Sequence, residues 1–128
     1  AWLARYSRKE DVEGGAIRGE LFENHVILEL YKHLLNTGEA PDLYFYRDKY
    51  GREVDLIVQH RGMLMPVEIK SAATFSPSFV DGVVFFRSEF KNCHDGMVVY
   101  NGSDEMPTYK GVAMVNPLSP NWKKKILP

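Results

Sequence analysis

"GREVDLIVQHRGMLMPVEIKS", Gly51 to Ser71, decides how this chain is read. Two apolar, β-branched runs flank a His60-Arg61-Gly62 turn, the pattern of an antiparallel hairpin. The strands are expected at 53–59 and 65–70. Side chains alternate along a strand. Val54, Leu56 and Val58 are therefore expected on one face, with Glu53, Asp55 and Ile57 on the other. In the second strand Val67 and Ile69 share a face, opposite Glu68 and Lys70. Asp55 can lie beside Glu68 if the register allows. Two converging carboxylates repel each other and normally require a cation. Hard oxygen ligands of this kind suit Mg²⁺ or Mn²⁺. A lysine beside them can orient or help deprotonate a water, and can stabilise charge developing on a phosphate. On a solvent face, the same residues would be ordinary cross-strand ion pairs with Arg52. The hairpin alone leaves both readings open.

Upstream, the period changes from two to about 3.6. Ile27, Leu30 and Leu34 fall at helical spacing, with Glu23 one turn earlier, and Leu21, Leu28 and Leu35 are expected to widen the apolar stripe. "NTG" (Asn36 to Gly38) supplies a stop, so a helix is expected over 16–35. An acid within the stripe that faces a sheet is costly without a partner; a metal or hydrated cleft shared with the hairpin acids would give Glu23 one, whereas a glutamate at the edge of the stripe would simply be solvated. "LYFYR" (Leu43 to Arg47) reads as an aromatic strand turned around by "DKYG". Three consecutive strands with tight connections imply an antiparallel meander.

Downstream, Phe79, Val83, Phe86 and Phe90 are spaced as a helix beginning near Pro77, despite the strand propensity of "VVFF" and the presence of Gly82. These aromatics are expected in the core. Strands are expected in "GMVVYNG" and around "GVAMVNP". The expected architecture is α/β, a central mixed sheet flanked by helices in the order α-β-β-β-α-β-β. Residues 1–15 form a lead-in in which Trp2, Leu3 and Tyr6 could make a short packing helix, 16–118 the domain, and 119–128 a basic tail carrying Lys123 to Lys125.

At 128 residues and 45% hydrophobic content the chain suits one globular domain with a real core. Sixteen basic against 17 acidic residues leave a formal charge of −1, which gives nucleic-acid binding no support but leaves room for a local basic patch. Arg47, Lys49, Arg52, His60 and Arg61 cluster in sequence around the hairpin and are candidate phosphate contacts. Cys93 is the single cysteine, so no internal disulfide forms, and with no signal peptide in sight a reducing, cytoplasmic setting is expected. No apolar run reaches the ~20 residues of a membrane span. His25 and His33 are not an i,i+4 zinc pair, and His94 beside Cys93 lacks a second ligand pair. No phosphate-cradling glycine loop is present. A start at Ala1 rather than methionine is what a piece of a longer protein would show.

"GELFENHV" (Gly19 to Val26), "FYR" (Phe45 to Arg47), "EVD" (Glu53 to Asp55) and "EIKS" (Glu68 to Ser71) occur in order. Together they resemble the PD-(D/E)xK nuclease-like superfamily. More narrowly, they resemble the DUF4143-type domain found behind an AAA-type ATPase module in bacterial and archaeal proteins. The resemblance covers roughly residues 16 to 118. It implies a restriction-endonuclease-like core. Asp55, Glu68 and the backbone carbonyl of Ile69 would hold Mg²⁺ or Mn²⁺. Lys70 would activate water, and Glu23 would match the superfamily's helix carboxylate. Valine stands at 54 where the superfamily name has proline. The implied activity is metal-dependent phosphodiester hydrolysis in DNA or RNA, with an ATPase domain in the same polypeptide. Paired sites in a homo-oligomer would suit cleavage of two strands. The alternative is an inactive nucleic-acid-binding or protein-interaction module of the same fold.

Overall fold

The computed structural model describes residues 15–38, 42–102, 108–119 and 122–126. Helix α1 (Gly15–Asn36) precedes three strands, β1 (Asp42–Arg47), β2 (Glu53–His60) and β3 (Met63–Lys70). A 3-10 turn (Pro77–Val80) leads into α2 (Asp81–Glu89), followed by β4 (Met97–Tyr100), β5 (Thr108–Tyr109) and β6 (Val112–Val115). A second 3-10 turn, Trp122–Lys125, comes last. The expected lead-in lies outside the described residues.

The strands form one six-stranded mixed sheet in the order β1-β2-β3-β4-β6-β5. β1, β2 and β3 are the antiparallel meander. The chain then crosses over through α2, and β4 pairs parallel to β3, with β6 parallel to β4. Hairpin turns follow from backbone permissiveness. Arg61 and Gly62 both take positive φ (53° and 77°) between the paired His60 and Met63, as the two-residue turns that match strand twist require.

The sheet is covered on both faces. On one, α1 contributes Val26, Ile27, Leu30 and Leu34 to a cluster with Leu56, Val58, Val67, Ile69, Met97 and Val99. On the other, Val80 and Val83 pack on Val98, Tyr100, Val112 and Met114, while Phe86 packs on Val54 and Ile57. Leu21, Leu28 and Leu35 do not widen the α1 stripe. All three are at least half exposed, because a spacing of seven puts them about 140–180° around the helix from Leu30.

Val54 departs from simple alternation. It lies with Ile57 and Phe86, not with Leu56 and Val58. Between the pairs Tyr44↔Ile57 and Tyr46↔Val54, β2 advances one residue more than β1. That is a bulge in β2 spanning Asp55, and a bulge re-aims the side chains around it.

Two further expectations are corrected. The second helix is a 3-10 turn followed by α2, and Phe90 leaves it with extended backbone (φ −123°, ψ 122°). The closing residues are no loose tail where they are described. Trp122 and Ile126 are buried in the α1 cluster, and Lys123 donates to Glu29 Oε2 at 2.8 Å. That contact holds the Glu29 carboxyl below its usual range, chiefly through the Lys123 hydrogen bond.

Candidate functional site

The β2–β3 ladder runs from His60↔Met63 to Leu56↔Val67 and then opens. Beyond it, side chains take over from the backbone. The Ile69 N–H donates to Asp55 Oδ2 at 2.9 Å, and the Asp55 N–H donates to Glu68 Oε1 at 3.2 Å. Each carboxylate thus satisfies a backbone donor on the opposite strand, which holds both at the mouth of the gap. A strand residue's carbonyl leaves on the same side as its N–H, so the Ile69 carbonyl also faces this gap.

Among the described residues Glu68 is the one buried charged side chain, 7% exposed. Burial pushes its carboxyl up to about 9, with the neighbouring Asp55 charge adding to the rise and the Lys70 charge working against it. A carboxyl in this setting keeps a proton at neutral pH unless a cation replaces it. Lys70, two residues on and on the same face, is half-buried and stands in register with Tyr100.

Gly82, in the first turn of α2, fits against this carboxyl. A Cβ built there would stand 3.2 Å from Glu68 Oε2 and 2.7 Å from the Glu53 carbonyl oxygen. Only a glycine lets α2 approach the sheet this closely. In the sequence this position is a glycine inside a helical run, which taken alone reads as a weakness of the helix.

Glu23 sits in the middle of the α1 arc that Val26, Ile27 and Leu30 occupy, and is half-buried. The same stripe brings Gly19 to the end of β3, where its Cβ position is 3.7 Å from Ser71 Oγ. Glu23 therefore belongs to the layer over Val67 and Ile69, whereas Glu68 and Lys70 face α2. Among the described residues no three His, Cys, Asp or Glu side chains converge on one point. Asp55 and Glu68 come together, while Glu23 lies on the α1 side of the sheet.

The basic residues split between the two ends of the hairpin. Arg47, Lys49 and Arg52 lie at the β1–β2 turn, close to Asp55, while His60 and Arg61 lie at the β2–β3 turn. Five residues of strand, about 17 Å, separate Asp55 from His60. Arg47 Nε lies 3.6 Å from Glu53 Oε1. Arg52 Nε donates to Asp48 Oδ2 at 2.8 Å, and its guanidinium carbon stands 3.5 Å from the centre of the Phe85 ring on α2.

The donor set fits a hard divalent cation. Two carboxylates, one of them buried beside the other, with a backbone carbonyl facing the same gap, match the one or two protein carboxylates that Mg²⁺ takes while leaving positions for water and phosphate. No described helix is long and apolar enough to cross a membrane.

No curated protein and no solved structure matches the chain. A family model, "Domain of unknown function (DUF4143)", matches residues 18–119. That span takes in most of α1, the opened hairpin, α2 and the strands after it, and the chain belongs to the DUF4143 family.

Proposed function

We propose that this chain is a divalent-metal-dependent nuclease domain of the PD-(D/E)xK kind, hydrolysing nucleic-acid phosphodiesters. The observation that carries the proposal is the opened ladder, where Asp55 and the buried Glu68 meet with Lys70 on the same face as Glu68. Asp55, Glu68 and the Ile69 carbonyl are the groups that would hold Mg²⁺ or Mn²⁺. When bound, such an ion supplies Lewis-acid polarisation of a phosphoryl oxygen and neutralises charge. Lys70 orients the attacking water and stabilises charge developing on the phosphate. Glu23 orders solvent from the α1 side. The water oxygen bonds to phosphorus as the bond to the leaving sugar oxygen breaks. In the family resemblance, an ATPase module of the same polypeptide is the partner.

The test is hydrolysis of DNA and RNA with Mg²⁺ or Mn²⁺. Lys70→Ala is expected to lower the rate about 10²–10⁴-fold. Hydrolysis that Lys70→Ala leaves unchanged would overturn the assignment.

A second reading, an inactive nucleic-acid-binding or protein-interaction module, draws on the absence of a three-carboxylate cluster among the described residues. Crystals soaked in Mn²⁺ separate the two. One anomalous peak between Asp55 and Glu68 supports the nuclease, and an empty gap with no hydrolysis supports the module.

A further inference from the structure

Tyr50 is the most exposed aromatic ring among the described residues, at 71%, and its turn is built to hold it there. Asp48 Oδ1 accepts the Tyr50 and Arg52 N–H groups at 2.9 Å each. The Gly51 N–H donates to the Asp48 carbonyl at 3.1 Å, and the Asp48 N–H to the Arg52 carbonyl at 2.9 Å. Gly51 supplies the positive φ, 83°, that closes the turn. A surface aromatic that packs into no core gives folding little, and the four hydrogen bonds fix the backbone from which this ring projects.

Two cations attend the ring. Lys49 Nζ stands 5.1 Å from its centre and the Arg52 guanidinium 5.0 Å. Arg52 is fixed by Asp48 and by Phe85, whereas Lys49 is exposed and its chain can yield the ring to a flat ligand. Phe85 is three residues along α2 from Gly82, the residue against Glu68. A chain of contacts therefore runs from Tyr50 through Arg52 to Phe85, on the helix whose Gly82 lies against Glu68.

We propose that Tyr50 is a stacking platform for an unpaired nucleotide base, and that the chain takes single-stranded nucleic acid at its carboxylate site. This rests on the nuclease-fold reading for the identity of the site. A base in a strand without a partner offers a free π face to an aromatic ring, and a neighbouring cation meets the phosphate. A base inside a duplex is already stacked on its neighbours and offers none. The ordered turn lowers the entropy lost on binding.

Fluorescence anisotropy with a labelled oligothymidylate, and with a duplex of the same length, tests this in EDTA. The chain is expected to bind the single strand more tightly than the duplex. Tyr50→Ala is expected to weaken single-strand binding by about fivefold or more, the effect of losing one base–aromatic stack. Tyr50→Phe and Tyr50→Trp should retain it, and duplex binding should stay the same in all three. No single-strand binding, or binding that Tyr50→Ala leaves unchanged, overturns the platform. So does an equal loss on single strand and duplex, which would make Tyr50 a general surface contact. Because EDTA excludes hydrolysis, a failure of the catalytic assignment leaves this result standing, and the reverse also holds.

Discussion

Gly82 and Glu68 are in contact across the α2–sheet interface so closely that a methyl group on Gly82 would stand 3.2 Å from Glu68 Oε2 and 2.7 Å from the Glu53 carbonyl oxygen. The second distance is to backbone, which cannot swing aside. Alanine is a better helix former than glycine by about 1 kcal/mol, yet overpacking costs about 1–3 kcal/mol. Gly82→Ala is therefore expected to destabilise the chain by about 1 kcal/mol net, seen as a lower midpoint in urea. A midpoint that rises would mean that α2 does not lean on the Glu68 carboxyl.

Glu68 makes stability depend on pH in a direction opposite to most carboxylates. Its folded-state value, about 9, lies above the ordinary 4.5. The folded chain thus keeps a proton that the unfolded chain has already released, and stability is lost as pH rises through that interval. Without divalent metal, the thermal midpoint should fall between about pH 5 and pH 9. Glu68→Gln, neutral in both states, should flatten that slope. Equal slopes for the two proteins would refute the buried-proton account.

Asp55→Asn keeps an oxygen for the Ile69 N–H but removes the like charge beside Glu68. Without metal, and at a pH high enough to ionise Glu68, the midpoint should hold or rise. Millimolar Mn²⁺ should raise the midpoint of the parent chain, through preferential binding to the folded state, and should leave that of Asp55→Asn unchanged. A midpoint that falls steeply without metal would mean that the Asp55 charge serves the fold and not a cation.

Trp122→Ala should cost about 3–5 kcal/mol, the range for a large aromatic removed from a core, since Trp122 is 2% exposed within the α1 cluster. Lys123→Ala, which removes a half-buried ion pair with Glu29 and no core side chain, should keep a urea midpoint close to that of the parent chain. Urea titration of both variants checks the contrast. Similar losses would shift the weight from the indole to the ion pair.

Legibility in the sequence tracked local periodicity. Ile27, Leu30 and Leu34 announced α1, and alternation announced β2 and β3 to within two residues. The Glu68–Lys70 face followed from alternation because β3 is regular there. Val54 was assigned to the wrong face because one extra residue in β2 reverses alternation, and no single residue type marks a bulge. Leu21, Leu28 and Leu35 were misplaced because hydrophobicity does not reveal angle unless the spacing is followed around the helix. The basic cluster looked compact because its members are close in sequence, while an extended strand carries His60 and Arg61 away from Asp55. β5, two residues long, carried too little pattern to find. Trp122 and Ile126 look like tail in the sequence because their partners on α1 lie about ninety residues back, and such pairing leaves no local trace.

That last contact has a consequence for biosynthesis. Glu29 and Lys123, which bond across 94 positions, bracket most of the domain, and the indole of Trp122 completes a cluster whose first members, Val26 and Ile27, emerge early. During translation α1 and the β1–β3 meander can assemble from nearby contacts, but the face of α1 that Trp122 and Ile126 cover stays bare until they are made. Ribosome-bound chains that stop short of Trp122 would therefore be protease-sensitive intermediates, and resistance would arrive abruptly once the closing turn is free.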